Sequence, residues 1–296
     1  MPVTGSEREW APPWPLDVGR VLAPHRRGHG DPAFRVDGAG GIWRASFTPD
    51  GPGTLRIVQT GATVRATAWG PGAAWLLENV PDLLGARDST DGFDPVHPVL
   101  RDIATRVPGL RVGRTNRVFE AFVPAVLEQK VLGVEAFRAW RYLLRRFGTP
   151  APGAPALRVP PPPDVWARIP SWEWHRSGAE AVRARTIVRA ARVAARLEED
   201  PAEARLRSLP GVGVWTAAEV RQRAVGDADA VSVGDYHLPG LVGWALTGRK
   251  VDDAGMLELL APYAGHRHRV TRLLELSGAG PPRRGPRLAV RDYRSF

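Results

Sequence analysis

A glycine turn between two helix patterns is the part of this sequence best suited to bind a ligand through its backbone. Residues 201–225 read PAEARLRSLPGVGVWTAAEVRQRAV, where Pro201 can open a first helix and a second helix begins near Val214. Gly211 and Gly213 permit a tight reversal, because glycine tolerates positive φ. Backbone without side chains can approach a DNA strand, and the amides that begin the second helix point at its phosphate. The segment predicts a phosphate-binding helix-hairpin-helix, although it also fits an ordinary helix–helix turn.

An aspartate follows this hairpin. Residues 227–238 read DADAVSVGDYHL, so Gly234 and Asp235 stand at the end of a loop, 22 residues after Gly213 and just before another helix pattern. A carboxylate here can cap the helix N-terminus. It can also stabilise the positive charge that develops on a sugar when an N-glycosidic bond breaks, and orient or deprotonate water. The hairpin upstream favours the catalytic role, and one side chain can fill both roles.

The hairpin and the aspartate together resemble the HhH-GPD superfamily of DNA glycosylases. More narrowly, LPGVGVWTAA followed by GDY is similar to the DNA-3-methyladenine glycosylase II (AlkA-like) branch. The resemblance is strong over about 105–276 and weak over 10–85. It implies that Asp235 is the catalytic aspartate.

The resemblance also implies roles around the hairpin. Gly211, Val212 and Gly213 match the turn whose amides hold a phosphate, often with a bound monovalent cation. Trp215 stands where the bifunctional glycosylase/lyases have the lysine that forms a Schiff base with the sugar. A tryptophan at this position implies a monofunctional enzyme, which leaves an abasic site and does not cut the strand.

Further matched positions concern the base that leaves the duplex. Gln129 and Lys130 match the region that enters the gap left by the flipped nucleotide. Trp215 also matches an aromatic residue of the AlkA-like base pocket, where it would attract a cationic alkylated purine through cation–π interaction.

Five other residues are candidates for the substrate site or alter it. Glu219 and Arg272 stand at or near positions that are aromatic in the AlkA-like pocket, which predicts a more polar pocket and leaves the range of damaged bases open. Tyr236 follows the catalytic aspartate directly. Trp172 and Trp174 form an aromatic patch that either packs internally or forms a wall of the base pocket.

The charge of the chain favours a polyanionic partner. The net charge is +10, from 41 basic and 31 acidic residues, and an excess of positive charge raises the expectation of nucleic-acid binding. Arg185 and Arg189 belong to a helical stripe of arginines that either contacts DNA or is solvated. The stripe and a second group in the tail are Arg185, Arg189, Arg192 and Arg196, and Arg283, Arg284, Arg287, Arg291 and Arg294.

The surrounding pattern predicts an α+β fold. Alternating apolar residues between 32 and 70 indicate an antiparallel sheet, and helical periodicity dominates from about 95 onward. We predict a small antiparallel β-containing N-terminal domain over 1–90. An all-helical helix-hairpin-helix glycosylase body follows over 91–277, and a basic Pro/Arg-rich tail over 278–296. Residues 1–15 are expected to be irregular and the proline-rich segment 148–163 to be a loop. Pro124 is expected to kink or break its helix.

Composition excludes several classes of protein. Hydrophobic residues make up 43% and charged residues 24%, as in ordinary globular proteins. The absence of cysteine excludes disulfides, thiolate zinc sites, cysteine nucleophiles and cysteine-ligated iron–sulfur clusters. The pairs His25/His29 and His266/His268 lack a third ligand, so no metal site is expected. No signal peptide or membrane-spanning run is visible, and we expect a cytoplasmic, nucleoid-associated monomer.

These observations predict a monofunctional DNA glycosylase that flips alkylated purines out of damaged double-stranded DNA and excises them in base excision repair. Two alternatives stay open. The polar Glu219 would suit a glycosylase for deaminated bases. A noncatalytic DNA-binding module would keep the hairpin alone.

Overall fold

The computed structural model describes residues 5–282 and begins with an antiparallel sheet. The five strands lie in the order β1-β5-β4-β3-β2. Their bounds are β1 Ser6–Trp10, β2 Phe34–Val36, β3 Ile42–Thr48, β4 Gly51–Thr60 and β5 Thr63–Trp69. The mixed content with an antiparallel sheet agrees with the predicted α+β class, while the domain boundaries stay a prediction.

One face of this sheet is covered by short helices. Val64, Ala66 and Ala68 alternate along β5 and are fully buried, as their spacing predicts. They share a cluster with Leu55 and Ile57 of β4 and with apolar residues of three helices. These helices are α1 Val18–Leu22, α2 Ala73–Glu78 and α3 Val80–Leu83.

The prediction of an irregular segment over residues 1–15 is wrong in part. Ser6–Trp10 forms the edge strand β1, which pairs with β5 in the register Glu9↔Arg65. The Glu9 and Arg65 side chains also form an ion pair across the two strands at 2.7 Å. The segment is mostly polar and exposed, so it lacks the apolar alternation from which a strand is recognised. Charged residues of this kind are typical of sheet edges.

The predictions of a loop over 148–163 and of an all-helical body are also wrong. This segment forms a hairpin of β6 Thr149–Ala151 and β7 Ala154–Val159, and Gly153 turns it at a φ of +70°. Leu157 and Val159 are buried against Ala45 of β3. Prolines are tolerated in such a short, edge-type pair. The tertiary contact with the sheet therefore outweighs the local proline signal.

The rest of the described chain is helical. The helices after α3 are α4 Pro98–Arg106, α5 Val118–Leu127, α6 Gly133–Phe147, α7 Pro163–Arg168, α8 Ser171–Ser177, α9 Ala181–Arg192, α10 Ala194–Glu199, α11 Glu203–Arg207, α12 Val214–Ala224, α13 Leu238–Thr247, α14 Asp253–Leu260 and α15 Arg267–Ser277. No helix within residues 5–282 combines the length and the apolar character needed to cross a membrane.

Helix α5 is the centre of the helical part, and all ten of its residues are buried except Glu120. The helix continues through Pro124, so the predicted break is absent. Its N-terminus is capped by a residue that is distant in the sequence. The Glu198 carboxylate accepts hydrogen bonds from the backbone N–H groups of Val118 and Phe119 at 2.8 and 3.1 Å. A carboxylate is favoured at a helix N-terminus.

The helices enclose two separate apolar clusters. One surrounds α5 and includes Phe122 and residues of α6, α9 and α12. The other joins α4 with α13, α14 and α15, and contains Ile103 and Val242. Helix α12 therefore contributes buried residues to the first cluster, whereas α13 and α15 contribute to the second.

Candidate active site

The predicted hairpin is present between α11 and α12. Gly211 has a φ of +94°, and a Cβ added there would lie 2.2 Å from Oγ1 of Thr186 in α9. The position therefore requires glycine both for its backbone conformation and for its close approach to α9. The side chain of Val212 is buried and anchors the turn in the core around α5. Gly213 is exposed, and a Cβ added there would meet no atom within 4 Å.

The N-terminus of α12 begins at Gly213, and no side chain caps it. Its first amides therefore lie at an exposed, uncapped end of an eleven-residue helix, an arrangement that suits an anionic ligand.

The carbonyl groups of the hairpin are the groups that could bind the monovalent cation implied by the resemblance. Those of Leu209, Pro210 and Gly211 accept hydrogen bonds from Val212, Thr186 and Gln129, respectively. No acidic side chain occurs between residues 208 and 213. A carbonyl oxygen has two lone pairs, so these hydrogen bonds leave the cation as an expectation of the resemblance, and no step of the chemistry below depends on one.

Gln129 and Lys130 lie beside the hairpin. The Gln129 amide donates hydrogen bonds to the Gly211 carbonyl at 3.0 Å and to Oγ1 of Thr216 at 2.8 Å. Arg183, a buried residue of α9, donates to the Gln129 carbonyl at 2.9 Å. Gln129 thus braces the hairpin, whereas Lys130 is exposed at a φ of +54°. Of these two predicted residues, only Lys130 projects into solvent.

Asp235 lies in the loop before α13, next to the hairpin helix. Its Oδ2 accepts a hydrogen bond from Nε1 of Trp215 at 3.1 Å. Its Oδ1 accepts from the backbone N–H groups of His237 and Leu238 at 2.8 and 2.9 Å. Three donors therefore hold the carboxylate in one orientation. The helix-capping role coexists with exposure toward a cavity, and Trp215 joins the carboxylate to the first turn of α12.

Asp235 lines a cavity of about 250 Å³. The walls come from α1 and the turn after it, the segment 110–113, α12, the loop before α13, α13 itself and α15. No tryptophan, tyrosine or phenylalanine is among the described residues that line it. Its polar lining residues are Arg20, His25, Arg111, Glu219, Gln222, Arg223, Ser232, Asp235, His237, His268, Thr271, Arg272 and Glu275.

A buried ion pair forms the floor of the cavity on α12. Oε2 of Glu219 lies 2.7 Å from the Arg223 guanidinium, and Oε1 accepts a hydrogen bond from the Ser232 hydroxyl at 2.5 Å. Gln222 donates to the same hydroxyl oxygen at 3.0 Å. Each oxygen of the Glu219 carboxylate therefore has a partner inside the protein, and the side chain is held as part of a network.

Two histidines in the lining are kept uncharged. Burial, with Arg44 and Arg223 nearby, holds the pKa of His25 well below its usual range. Burial, with Arg272 and Arg223 nearby, does the same for the pKa of His268. At neutral pH each imidazole offers one hydrogen-bond donor and one acceptor.

The same pKa shifts predict how stability depends on pH. In the unfolded chain these histidines titrate near about 6.5, whereas in the folded protein they resist protonation. The unfolded state therefore binds more protons below that pH. We expect the free energy of unfolding to fall from pH 6.5 to 5.5, by up to about 1.4 kcal/mol per pH unit for each histidine.

Urea unfolding at several pH values measures this slope. His268→Gln should reduce it, while His175→Gln, a change at an exposed histidine outside the cavity, controls for the substitution itself. Equal slopes in His268→Gln and the unchanged protein would contradict the prediction.

The remaining predicted site residues lie outside this cavity. Tyr236 is 81% exposed and Trp172 is 63% exposed. Trp174 is buried, its indole N–H bonds the Ile169 carbonyl at 3.2 Å, and its ring centroid lies 5.8 Å from that of Trp166. Of the two alternatives for the tryptophan patch, internal packing is what the structure shows for Trp174.

The four arginines of the predicted stripe are exposed, but they lie on two helices, with Arg196 on α10 and the other three on α9. Arg185 and Arg189 line a separate open groove of about 590 Å³ between α8 and α9. This groove shares no lining residue with the cavity at Asp235. The tail arginines from Arg283 onward lie outside the described residues.

Sequence reasoning missed several lining residues of the cavity, chiefly His25, Arg223, Ser232 and His268. In the sequence the two histidines stand out only as members of pairs with metal-like spacing. They are separated by more than 200 residues and come together through packing, so no local spacing could have revealed them.

No protein-family model and no curated protein matches the sequence, but its fold is similar to solved structures. The 3-methyladenine DNA glycosylase from Archaeoglobus fulgidus aligns with a TM-score of 0.75 over 91% of this chain and 98% of that one, at 17% identity. The apo 8-oxoguanine glycosylase/lyase from Clostridium acetobutylicum aligns with a TM-score of 0.71 over 94% and 100%, at 11% identity. The 3-methyladenine DNA glycosylase from Schizosaccharomyces pombe, solved with abasic DNA, aligns with a TM-score of 0.52 over 62% and 93%, at 14% identity. The chain therefore has the fold of the HhH-GPD DNA glycosylases, as its motifs imply.

Proposed function

We propose that this protein is a monofunctional DNA glycosylase that hydrolyses the N-glycosidic bond of a damaged base in duplex DNA. The observation that carries the proposal is Asp235, a carboxylate held by three hydrogen-bond donors at the wall of a base-sized cavity. The hydrogen bond from Trp215 to Asp235 also supports the proposal, because it joins this carboxylate to the start of α12, whose amides are the proposed phosphate-binding groups. The shared fold supports the same reaction class.

Different groups of the site bind the DNA backbone, receive the damaged base and stabilise the sugar. The amides at the start of α12 bind a backbone phosphate, and the damaged nucleotide leaves the duplex so that its base enters the cavity. The C1′–N bond breaks with its electron pair going to the base, and positive charge develops on the sugar facing Asp235. Water adds its oxygen to C1′ and loses one proton to the carboxylate. A base that departs as an anion takes up a proton from solvent.

The electrostatic effect of the carboxylate is large enough to matter. Two unit charges about 4 Å apart interact by about 4 kcal/mol at an effective dielectric constant of 20. If that interaction exists only in the transition state, it accelerates the reaction by about three powers of ten. The fixed orientation of Asp235 avoids a reorganisation cost when the charge develops.

No lysine lines the cavity in the described part of the chain, and this supports a monofunctional reaction. A lyase needs an amine that forms a Schiff base with C1′ of the sugar. Trp215 has an indole at the position where the glycosylase/lyases have that lysine. The chain contains only two lysines, Lys130 and Lys250, and neither lines the cavity.

Two classes of lesion remain candidates for this reaction. Alkylated purines of the 3-methyladenine type are the class that the motif resemblance implies. Deaminated bases are the second class, and the polar lining of the cavity is the observation that favours them. Both would leave the same abasic product.

Product analysis tests the reaction type. Duplexes carrying single alkylated or deaminated bases are incubated with the protein, and strand breaks are compared with and without later alkaline treatment. We expect breaks only after alkali, because a monofunctional enzyme leaves an intact abasic strand. Breaks without alkali would contradict the monofunctional assignment. A protein that binds duplex DNA and releases no base from any lesion would be a binding module instead.

A further inference from the structure

We propose that the cavity beside Asp235 selects an uncharged damaged base through hydrogen bonds and discriminates against a cationic one. This inference rests on the proposed function and concerns the same site. Three features of the lining support it: paired carboxylates, no tryptophan, tyrosine or phenylalanine among the described lining residues, and histidines whose protonated forms are disfavoured.

The carboxylates of the lining are mostly neutralised by arginines of the same lining. Glu219 pairs with Arg223 at 2.7 Å, and Glu275 forms an ion pair with Arg272. Asp235 is the one lining carboxylate among the described residues outside such a pair. Since Asp235 must face the sugar cation, no carboxylate of the lining is left to attract a positive charge on the base.

The lining also lacks the aromatic surface that would stabilise a cation. Cation–π attraction requires a ring face within about 6 Å of the charge. Trp215, the aromatic residue expected to provide that face, is not among the lining residues and directs its indole N–H to Asp235. A cationic purine entering the cavity would lose its hydration with no tryptophan, tyrosine or phenylalanine among the described lining residues to compensate for that loss.

The histidines of the lining report the local electrostatic environment. The protonated forms of His25 and His268 are disfavoured, first by burial and then by neighbouring arginines, which lowers the pKa of both side chains. A positive charge on a bound base would meet Arg223 and Arg272, which line the same cavity. An uncharged base instead meets the neutral imidazoles of His25 and His268, each of which has one hydrogen-bond donor and one acceptor.

A matched panel of lesions tests this selectivity. Single-turnover base release is measured from duplexes that differ only in the lesion, either uncharged (hypoxanthine or 1,N6-ethenoadenine) or cationic (7-methylguanine or 3-methyladenine). Each rate is divided by the spontaneous loss rate of that lesion, because cationic bases depart more readily on their own. We expect the acceleration to be at least about tenfold greater for the uncharged lesions.

Two substitutions in one ion pair should shift this ratio in opposite directions. Arg272→Gln removes a positive charge from the wall and leaves Glu275 unpaired, so the ratio should move toward cationic lesions by about tenfold. Glu275→Gln leaves Arg272 unpaired and should move the ratio the other way. A merely structural effect of either change would alter release of both lesion classes together.

The outcomes separate the two proposals. Equal or greater acceleration for the cationic lesions, or a ratio unmoved by both substitutions, would overturn the selectivity and leave the glycosylase assignment standing. Release of neither class by a protein that still binds the duplexes would overturn the glycosylase assignment, and the selectivity with it.

Discussion

Asp235→Asn is expected to reduce the rate of base release by at least about three powers of ten, the value expected for one carboxylate facing a sugar cation. The substitution preserves the shape of the side chain. Its amide oxygen can still accept the backbone hydrogen bonds of His237 and Leu238. The amide nitrogen would then face the Trp215 N–H, with which it cannot bond. Single-turnover release from a lesion duplex measures the effect, and duplex affinity should change by less than about threefold.

A neighbouring aspartate provides the control for this substitution. Asp252 caps α14 by accepting a hydrogen bond from the Gly255 N–H at 2.9 Å, and it does not line the cavity. Because asparagine is as good a helix cap as aspartate, Asp252→Asn should leave base release within about threefold of the unchanged protein. An Asp235→Asn variant that keeps more than about a tenth of the rate would assign the stabilisation of the sugar to another group.

Gly211→Ala is expected to lower the free energy of unfolding by about 2 kcal/mol and to weaken duplex binding at least about tenfold. The alanine would have to adopt a φ of +94°, and its Cβ would lie 2.2 Å from Oγ1 of Thr186. The hairpin must therefore move away from α9. Urea unfolding measures the first effect, and titration of a duplex at fixed salt measures the second. Unchanged stability would contradict the close contact between the hairpin and α9.

Gly213→Ser separates phosphate binding from folding. The position has a φ of −98° and open space around its Cα, so serine fits without strain. Its hydroxyl can cap the first amides of α12, which leaves stability unchanged or raises it by a few tenths of a kcal/mol. Those amides would then be less available to a phosphate, and duplex binding should weaken by more than about threefold. Unchanged binding would place the phosphate elsewhere.

Secondary structure was predictable where periodicity was strong and contacts were local. Val64, Ala66 and Ala68 alternate on a sheet face and are buried there. The helical periodicity predicted from about 95 onward corresponds to helices α4 to α15, apart from the hairpin of β6 and β7. Prediction failed at 6–10, where a polar segment becomes a strand by pairing with β5, which is distant in the sequence. It also failed at 148–163, where a proline-rich segment without strand-like periodicity forms a hairpin. Periodicity shows which side of a segment is buried and does not show what covers it.

The candidate site divides in the same way. The sequence by itself determined the glycine turn, the aspartate that follows it and the tryptophan in place of a lysine, because these depend on residue type and short spacing. Tertiary structure alone decided that Trp215 bonds Asp235, that Glu219 is engaged by Arg223, and that His25 and His268 share one cavity. Those relations depend on how two helical clusters and a sheet pack together, so the environment that would meet a base is set by residues far apart in the chain.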